Sequence, residues 1–208
     1  FGVAAAGTYY LQLAKGTYHD SGQYSLTASL AAGSSDGFES EANDSTATAD
    51  AITLGTAISG QIATTSDQDY YKVTATSAGT LSVTLDVPTN SSFSEYFALG
   101  LYDATGANLG QYETGRDDTF TFGVAAAGTY YLQLAKGTYY DSGQYSVTAT
   151  LAAGSSSGFE SEANDSTATA DAITLGTAVS GQLGTTSDQD YYKVTATSAG
   201  TLSVTLDV

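Results

Sequence analysis

Two short stretches of the sequence gather oxygen-bearing side chains. Glu39, Glu41, Asn43 and Asp44 stand in one, and Ser66, Asp67 and Asp69 in the other. Both recur further along, as Glu160, Glu162, Asn164 and Asp165 and as Ser187, Asp188 and Asp190. Carboxylates and amide oxygens at i, i+2 spacing in extended or turning backbone can converge on a hard cation, and calcium takes six to eight such oxygens at about 2.3–2.6 Å. Calcium is therefore the expected ligand. The competing reading is equally physical: the first stretch is a solvated acidic linker, and Asp67 and Asp69 decorate a turn.

Other chemistry finds little support. The chain has no cysteine, which excludes disulfides, thiolate metal sites and thiol catalysis, and its one histidine, His19, is matched by Tyr140 in the second copy described below. A catalytic or zinc role for His19 would exist in one copy and be missing from the next. Lys15, Lys72, Lys136 and Lys193 lie on strand-like runs, where solvated faces or edge charges that discourage aggregation are their ordinary use. Asp67 and Asp69 as a glycosidase pair lack any sign of a substrate groove. Asn43-Asp44-Ser45 and Asn90-Ser91-Ser92 match the glycosylation sequon, a pattern too short to carry meaning by itself. No enzymatic activity is expected.

Charge narrows the partners. Five Lys and Arg against 22 Asp and Glu leave a formal charge of −17, which repels a phosphate backbone and an anionic bilayer. Neither nucleic-acid binding nor membrane insertion is expected, and no stretch reaches the ~18–20 apolar residues of a spanning helix or has the plan of a signal peptide. With 41% hydrophobic residues the chain has ample material for a core.

The elements that position the acids come in copies. FGVAAAGTYYLQLAKGTY starts at Phe1 and again at Phe122, a period of 121 residues, and residues 1–87 match 122–208 at 80 of 87 positions. A period this long marks whole domains in tandem rather than solenoid units of 20–50 residues. Gly- and Ser-rich joints at 31–44 and 152–165 divide the chain into the C-terminal part of one repeat (1–36), a complete repeat (37–157) and the N-terminal part of the next (158–208). The two end pieces together lack the counterparts of Pro88 to Thr121. Joining them head to tail would leave a hole in the core, so a longer polypeptide is the expectation.

Within the complete repeat the hydrophobic period is 2. Leu81, Val83, Leu85 and Val87 alternate with Ser82, Thr84 and Asp86. Similar runs centre on Tyr71–Ala75, Phe97–Leu101, Phe120–Val124, Tyr130–Leu134 and Tyr145–Leu151, with shorter ones at Ala51–Leu54 and Ile58–Ile62. Turn residues such as Asp103-Ala104-Thr105-Gly106 separate them. About eight strands and no helical pattern, apart from a short Ala-rich piece at Asp44–Ala51, predict an all-β fold: tandem antiparallel β-sandwiches of jelly-roll type. The tyrosine pairs Tyr9-Tyr10, Tyr70-Tyr71, Tyr130-Tyr131 and Tyr191-Tyr192 should point one ring inward and one outward. Outer rings can offer a surface to glycan, a protein or a neighbouring chain, or simply be strand residues with a polar tip.

Taken together, these residues resemble the bacterial pre-peptidase C-terminal (PPC) domain, a family that includes the collagen-binding modules of clostridial collagenases. The resemblance runs from ESEANDS (39–45) through Ile58-Ser59-Gly60-Gln61-Ile62 and SDQDYYKV (66–73) to Leu99-Gly100-Leu101-Tyr102-Asp103 and Gly143-Gln144-Tyr145-Ser146-Val147. It implies an eight-stranded jelly roll in a secreted bacterial protein. It also implies calcium held between the N-terminal linker and the loop before the paired tyrosines: here Glu39, Glu41, Asn43, Asp44, Asp67 and Asp69, with Ser66 a further donor. Ala42 and Ala163 stand where many relatives have proline, which leaves the linker more dependent on bound metal for its shape. The expected role is a calcium-stiffened repeat array of an extracellular filament, stalk or surface adhesin, whose partners are neighbouring repeats and other copies. The alternative is a glycan- or protein-binding module that anchors a secreted hydrolase.

Overall fold

The structure is a computed structural model that describes residues 7–14, 23–29, 37–88, 96–138, 143–154, 158–160, 164–181, 183 and 187–207. His19 and Glu162 lie outside the described residues. Nine strands fall in the complete repeat: β1 (Asp50–Ala51), β2 (Ile58–Ile62), β3 (Gln68–Ala75), β4 (Gly79–Asp86), β5 (Phe97–Asp103), β6 (Asn108–Thr114), β7 (Asp118–Val124), β8 (Gly128–Lys136) and β9 (Gly143–Ala153). They form a four-stranded sheet, β2-β9-β4-β7, and a five-stranded sheet, β1-β3-β8-β5-β6. Leaving β1 aside, the chain passes from one sheet to the other at every connection except the β5–β6 hairpin, and that is the jelly-roll plan.

Alternation explains the core. Leu81, Val83 and Leu85 of β4 face Leu99 and Leu101 of β5, Leu132 and Leu134 of β8 and Tyr71 and Val73 of β3 within one buried cluster, while the intervening residues face outward. Tyr71 and Tyr130 are buried and their neighbours Tyr70 and Tyr131 are half-exposed, as expected for these two pairs, whereas Tyr9, Tyr10, Tyr191 and Tyr192 are all exposed.

Three details differ from the expectation. The Ala51–Leu54 run contributes only the last residue of the two-residue β1, which pairs with β3 in parallel, so the five-stranded sheet is not purely antiparallel. The strand β6 was not anticipated, because Asn-Leu-Gly-Gln-Tyr-Glu-Thr has no clean alternation; it is an edge strand whose Leu109 and Tyr112 are only partly buried. The Ala-rich piece forms a turn closed by the Thr48 amide to the Ser45 carbonyl rather than a helix.

The following repeat shows a parallel pair, β10 (Asp171–Ile173) and β11 (Tyr192–Val194), in the same register as β1 and β3. No helix among the described residues is long and apolar enough to cross a membrane.

Candidate metal centre

The linker at 37–44 closes one side of the sandwich. Phe38 makes a parallel bridge to Ser59 of β2, at the edge of the four-stranded sheet. Five residues on, the Asn43 carbonyl accepts the amide of Tyr70 in β3, which belongs to the other sheet. The segment between these two anchors, including Glu39 and Glu41, is therefore carried across the gap between the layers and over the start of β3, where Asp69 stands. Carboxylate oxygens of Glu39, Glu41 and Asp69 lie within 4.8 Å of one another.

Beneath them the core supplies hydroxyls. Tyr71 donates to Glu39 Oε2 at 2.7 Å, and the Tyr145 hydroxyl lies 3.0 Å from that oxygen and 2.5 Å from Asp69 Oδ2. The two hydroxyls are 2.6 Å apart. The Gln61 amide donates to Glu39 Oε1 at 2.5 Å. Two hydroxyl hydrogens and one amide cannot satisfy three carboxylates, each with several acceptor positions. Two buried oxygens, Asp69 Oδ1 and Asn43 Oδ1, have no hydrogen-bond partner at all. Buried polar atoms without partners are rare and ask for an explanation such as an ion.

The electrostatics agree. Burial raises the Asp69 carboxyl to about 9, with Glu39 and Asp67 adding to it against the opposing effect of the Tyr145 hydrogen bond. Glu41 rises to about 7, first from burial and then from Asp67, Glu39, Asp44 and Asp50. Burial also pushes the Tyr71 and Tyr145 hydroxyls up, so both remain donors. Without a cation the cluster relieves its repulsion by holding protons; a divalent ion would do so without them.

The structure brings together only some of the residues that the sequence suggested. Asn43 is fully buried beside the start of β3. Asp44 instead accepts the Gln68 amide at 3.3 Å, and Asp67 accepts the Ala63 amide at 2.5 Å within the β2–β3 turn. Ser66 is exposed, its hydroxyl 3.2 Å from that of Thr64. Asp67 still acts on the site through its charge. Sequence reasoning passed over Asp50, which accepts the Ser40 amide at 2.6 Å and hydroxyl at 2.7 Å, with Asn43 Nδ2 at 3.5 Å. It also passed over Tyr145, which lies 106 residues from Glu39 in the chain. The recurrence of both at the 121-residue period was the available signal for Asp50 (Asp171), and a buried tyrosine in an otherwise aliphatic strand the signal for Tyr145.

The second copy repeats the design in part. Tyr192 donates to Glu160 Oε2 at 2.6 Å, Asn164 Nδ2 lies 3.4 Å from Glu160 Oε2 and from Asp171 Oδ2, and Gln189 donates to Asp165 at 3.4 Å. Asn164 Oδ1 and Asp190 Oδ1 again lack partners. Asp190 is raised to about 6, chiefly by burial and by Glu160, less than Asp69 because less protein covers it. Ser187 and Asp188 precede β11 in the turn, as Ser66 and Asp67 precede β3.

Gly60 shows how tightly the site is fitted. A Cβ there would run into the Glu39 carboxylate and the Tyr145 hydroxyl, and one at Gly181 would meet Glu160 and Tyr192. Gly60→Ala should therefore displace Glu39, and calcium, if the centre holds it, should bind about tenfold or more weakly, roughly 1.4 kcal/mol, with the β signal of the circular dichroism spectrum retained. Calorimetric titration checks this; equal affinities would place the ion elsewhere.

The fold and site together define the class: a jelly-roll β-sandwich with an acidic centre where its N-terminal linker meets β3. No protein-family model matches the chain, and no curated protein matches it. Among solved structures it is similar to the pre-peptidase C-terminal domain of collagenase from Bacillus anthracis (20% identity, TM-score 0.40, 49% of this chain and 94% of that one). It is also similar to PliG, a periplasmic inhibitor of g-type lysozyme from Aeromonas hydrophila (14%, 0.37, 49% and 96%), and to the mitogen from Yersinia pseudotuberculosis (12%, 0.35, 51% and 89%). These likenesses cover about half of the chain.

Proposed function

We propose that the chain is a run of non-catalytic, calcium-binding β-sandwich modules of a secreted bacterial protein, serving to anchor it to an insoluble glycan or protein. The acidic centre supports calcium: buried, unpartnered Asn and Asp oxygens recur one period apart, at Asn43 and Asp69 and at Asn164 and Asp190. Burial holds the tyrosines of the centre as donors.

The observation that carries anchoring is the outer face of the five-stranded sheet. Tyr131 of β8 is flanked in register by Lys72 of β3 and Tyr102 of β5, and Gln133 by Tyr70 and Gly100. Tyr102 donates to Gln133 at 2.9 Å, Gln133 donates to Gln68 at 2.9 Å, and a side chain at Gly100 would touch the Tyr102 ring. Flat rings flanked by amide groups suit sugar rings or an extended polymer. Replacement of Tyr70, Tyr102 and Tyr131 by Ala should reduce co-sedimentation with the insoluble polymer that the unsubstituted chain binds, by about tenfold for a loss of ~1.4 kcal/mol.

The second reading is a spacer in a filament, stalk or adhesin. It draws on the repeat itself, 80 identical positions of 87, since a spacer uses the same unit many times. Retention on no glycan or fibrous protein would remove the anchoring reading and leave the spacer.

A further inference from the structure

Gly123 is the penultimate residue of β7, the outer strand of the four-stranded sheet, where glycine weakens a strand and has no side chain to pack. Its backbone does not need glycine, because its φ is not in the left-handed region. What it needs is space. A Cβ at Gly123 would stand 2.9 Å from Cβ and 3.0 Å from Cγ and Cδ1 of Phe159, which belongs to the following repeat.

Phe159 is presented firmly. It makes a parallel bridge to Ser180, flanked by hydrogen bonds from Ser180 to the Gly158 carbonyl at 2.9 Å and from Glu160 to the Ser180 carbonyl at 3.0 Å. Phe38, its counterpart one period earlier, makes the same bridge to Ser59 with the same pair of hydrogen bonds. The two differ in what covers them: Phe38 is 46% exposed, whereas Phe159, seated on the sandwich, is half-buried. The counterpart of Gly123 for Phe38 is Gly2, outside the described residues.

We infer that Phe159 and Gly123 form the joint between successive repeats, a ring of one repeat seated on the bare outer face of a strand of the one before. This rests on reading 37–157 and 158–208 as consecutive repeats. Repeats joined by a short linker alone swing freely by default. The seated ring supplies a nearest-neighbour interface on the outer face of the four-stranded sheet. Phe38 is held by the same bridge one period earlier. The glycine and the phenylalanine recur at the 121-residue period, Gly2 with Phe38 and Gly123 with Phe159.

The joint is also next to the calcium centre of the following repeat, because Glu160 directly follows Phe159 and both line a cleft of about 350 Å³ with Thr80, Tyr112 and Gly123. Seating the ring and ordering the linker carboxylates are thus adjacent events, yet they depend on different atoms and separate experimentally.

The chain has no cysteine, so Thr46→Cys and Thr167→Cys, at exposed and repeat-equivalent positions, accept spin labels uniquely. The label-to-label distance in the full chain should give one narrow peak. Phe159→Ala should replace it by a broad distribution, and Gly123→Val, approaching from the other side with a good strand former, should do the same. Phe38→Ala should leave the peak intact. A narrow peak retained in both Phe159→Ala and Gly123→Val, or a broad distribution in the unsubstituted chain, would overturn the joint. Repeating the measurement with chelator separates the two ideas: a peak that survives chelation and is lost in Phe159→Ala upholds the joint while showing that calcium does not set the orientation.

Discussion

Removing calcium is expected to lower the melting temperature of the complete sandwich by roughly 10 °C. A ligand that binds only the folded state stabilises it by RT ln(1 + [L]/Kd), about 2.7 kcal/mol at a hundredfold excess. For a domain of this size each kcal/mol moves the midpoint by about 4 °C. The effect arises at Asp69, Glu39 and Glu41, because these carboxylates approach within 4.8 Å while Asp69 Oδ1 has no donor. Asp69→Asn should weaken the calcium response and, by removing the buried acid, raise the midpoint of the calcium-free protein. Coincident melts with excess calcium and with chelator would remove metal from the account, and the centre would then be a proton-sharing carboxylate cluster.

The second large effect is on pH. An unfolded Asp releases its proton near 3.9. In the folded chain Asp69 holds its proton up to about 9, and Glu41 up to about 7. Between these limits the folded state binds more protons than the unfolded one, so stability falls as pH rises. The slope approaches 1.4 kcal/mol per pH unit for one proton, which makes about 3 kcal/mol between pH 5 and 7. Calcium bound at the centre would replace the proton, so its affinity should rise over the same interval and the pH dependence of the melt should flatten when it is in excess. Melts from pH 5 to 8 with chelator, with calcium, and for Asp69→Asn test this. The variant controls for the general repulsion of a chain carrying −17, which also grows with pH. A chelated midpoint that is flat or rising with pH would contradict the buried acid at 69.

Much of the sandwich was legible because a half-buried strand writes its two faces as alternate residues. Leu81-Ser82-Val83-Thr84-Leu85 and Tyr130 to Leu134 say which side faces the core before any partner is known. The strand β6 did not, since an edge strand that buries little needs no alternation. The centre was legible in its residue types but only partly in its membership. Glu39, Glu41 and Asp69 meet, whereas the carboxylates of Asp44 and Asp67 are spent on the amides of Gln68 and Ala63, local geometry that spacing does not reveal. Tyr145 could not be found by spacing at all, because the contact is made by folding β9 against β2 and β3.

The clearest division between the two levels lies in one octapeptide that occurs twice. Of Thr-Leu-Ser-Val-Thr-Leu-Asp-Val at 80–87, all but the last residue lie in β4, with Leu81, Val83 and Leu85 at 0% exposure between β7 and β9. The same octapeptide recurs at 201–208. The amino-acid order determined which face of this segment is apolar and which is polar, in both places alike. Whether the apolar face is buried was decided by tertiary structure, because a strand obtains its hydrogen bonds and its core from neighbours, which for 80–86 are β7, 118–124, and β9, far apart in the chain.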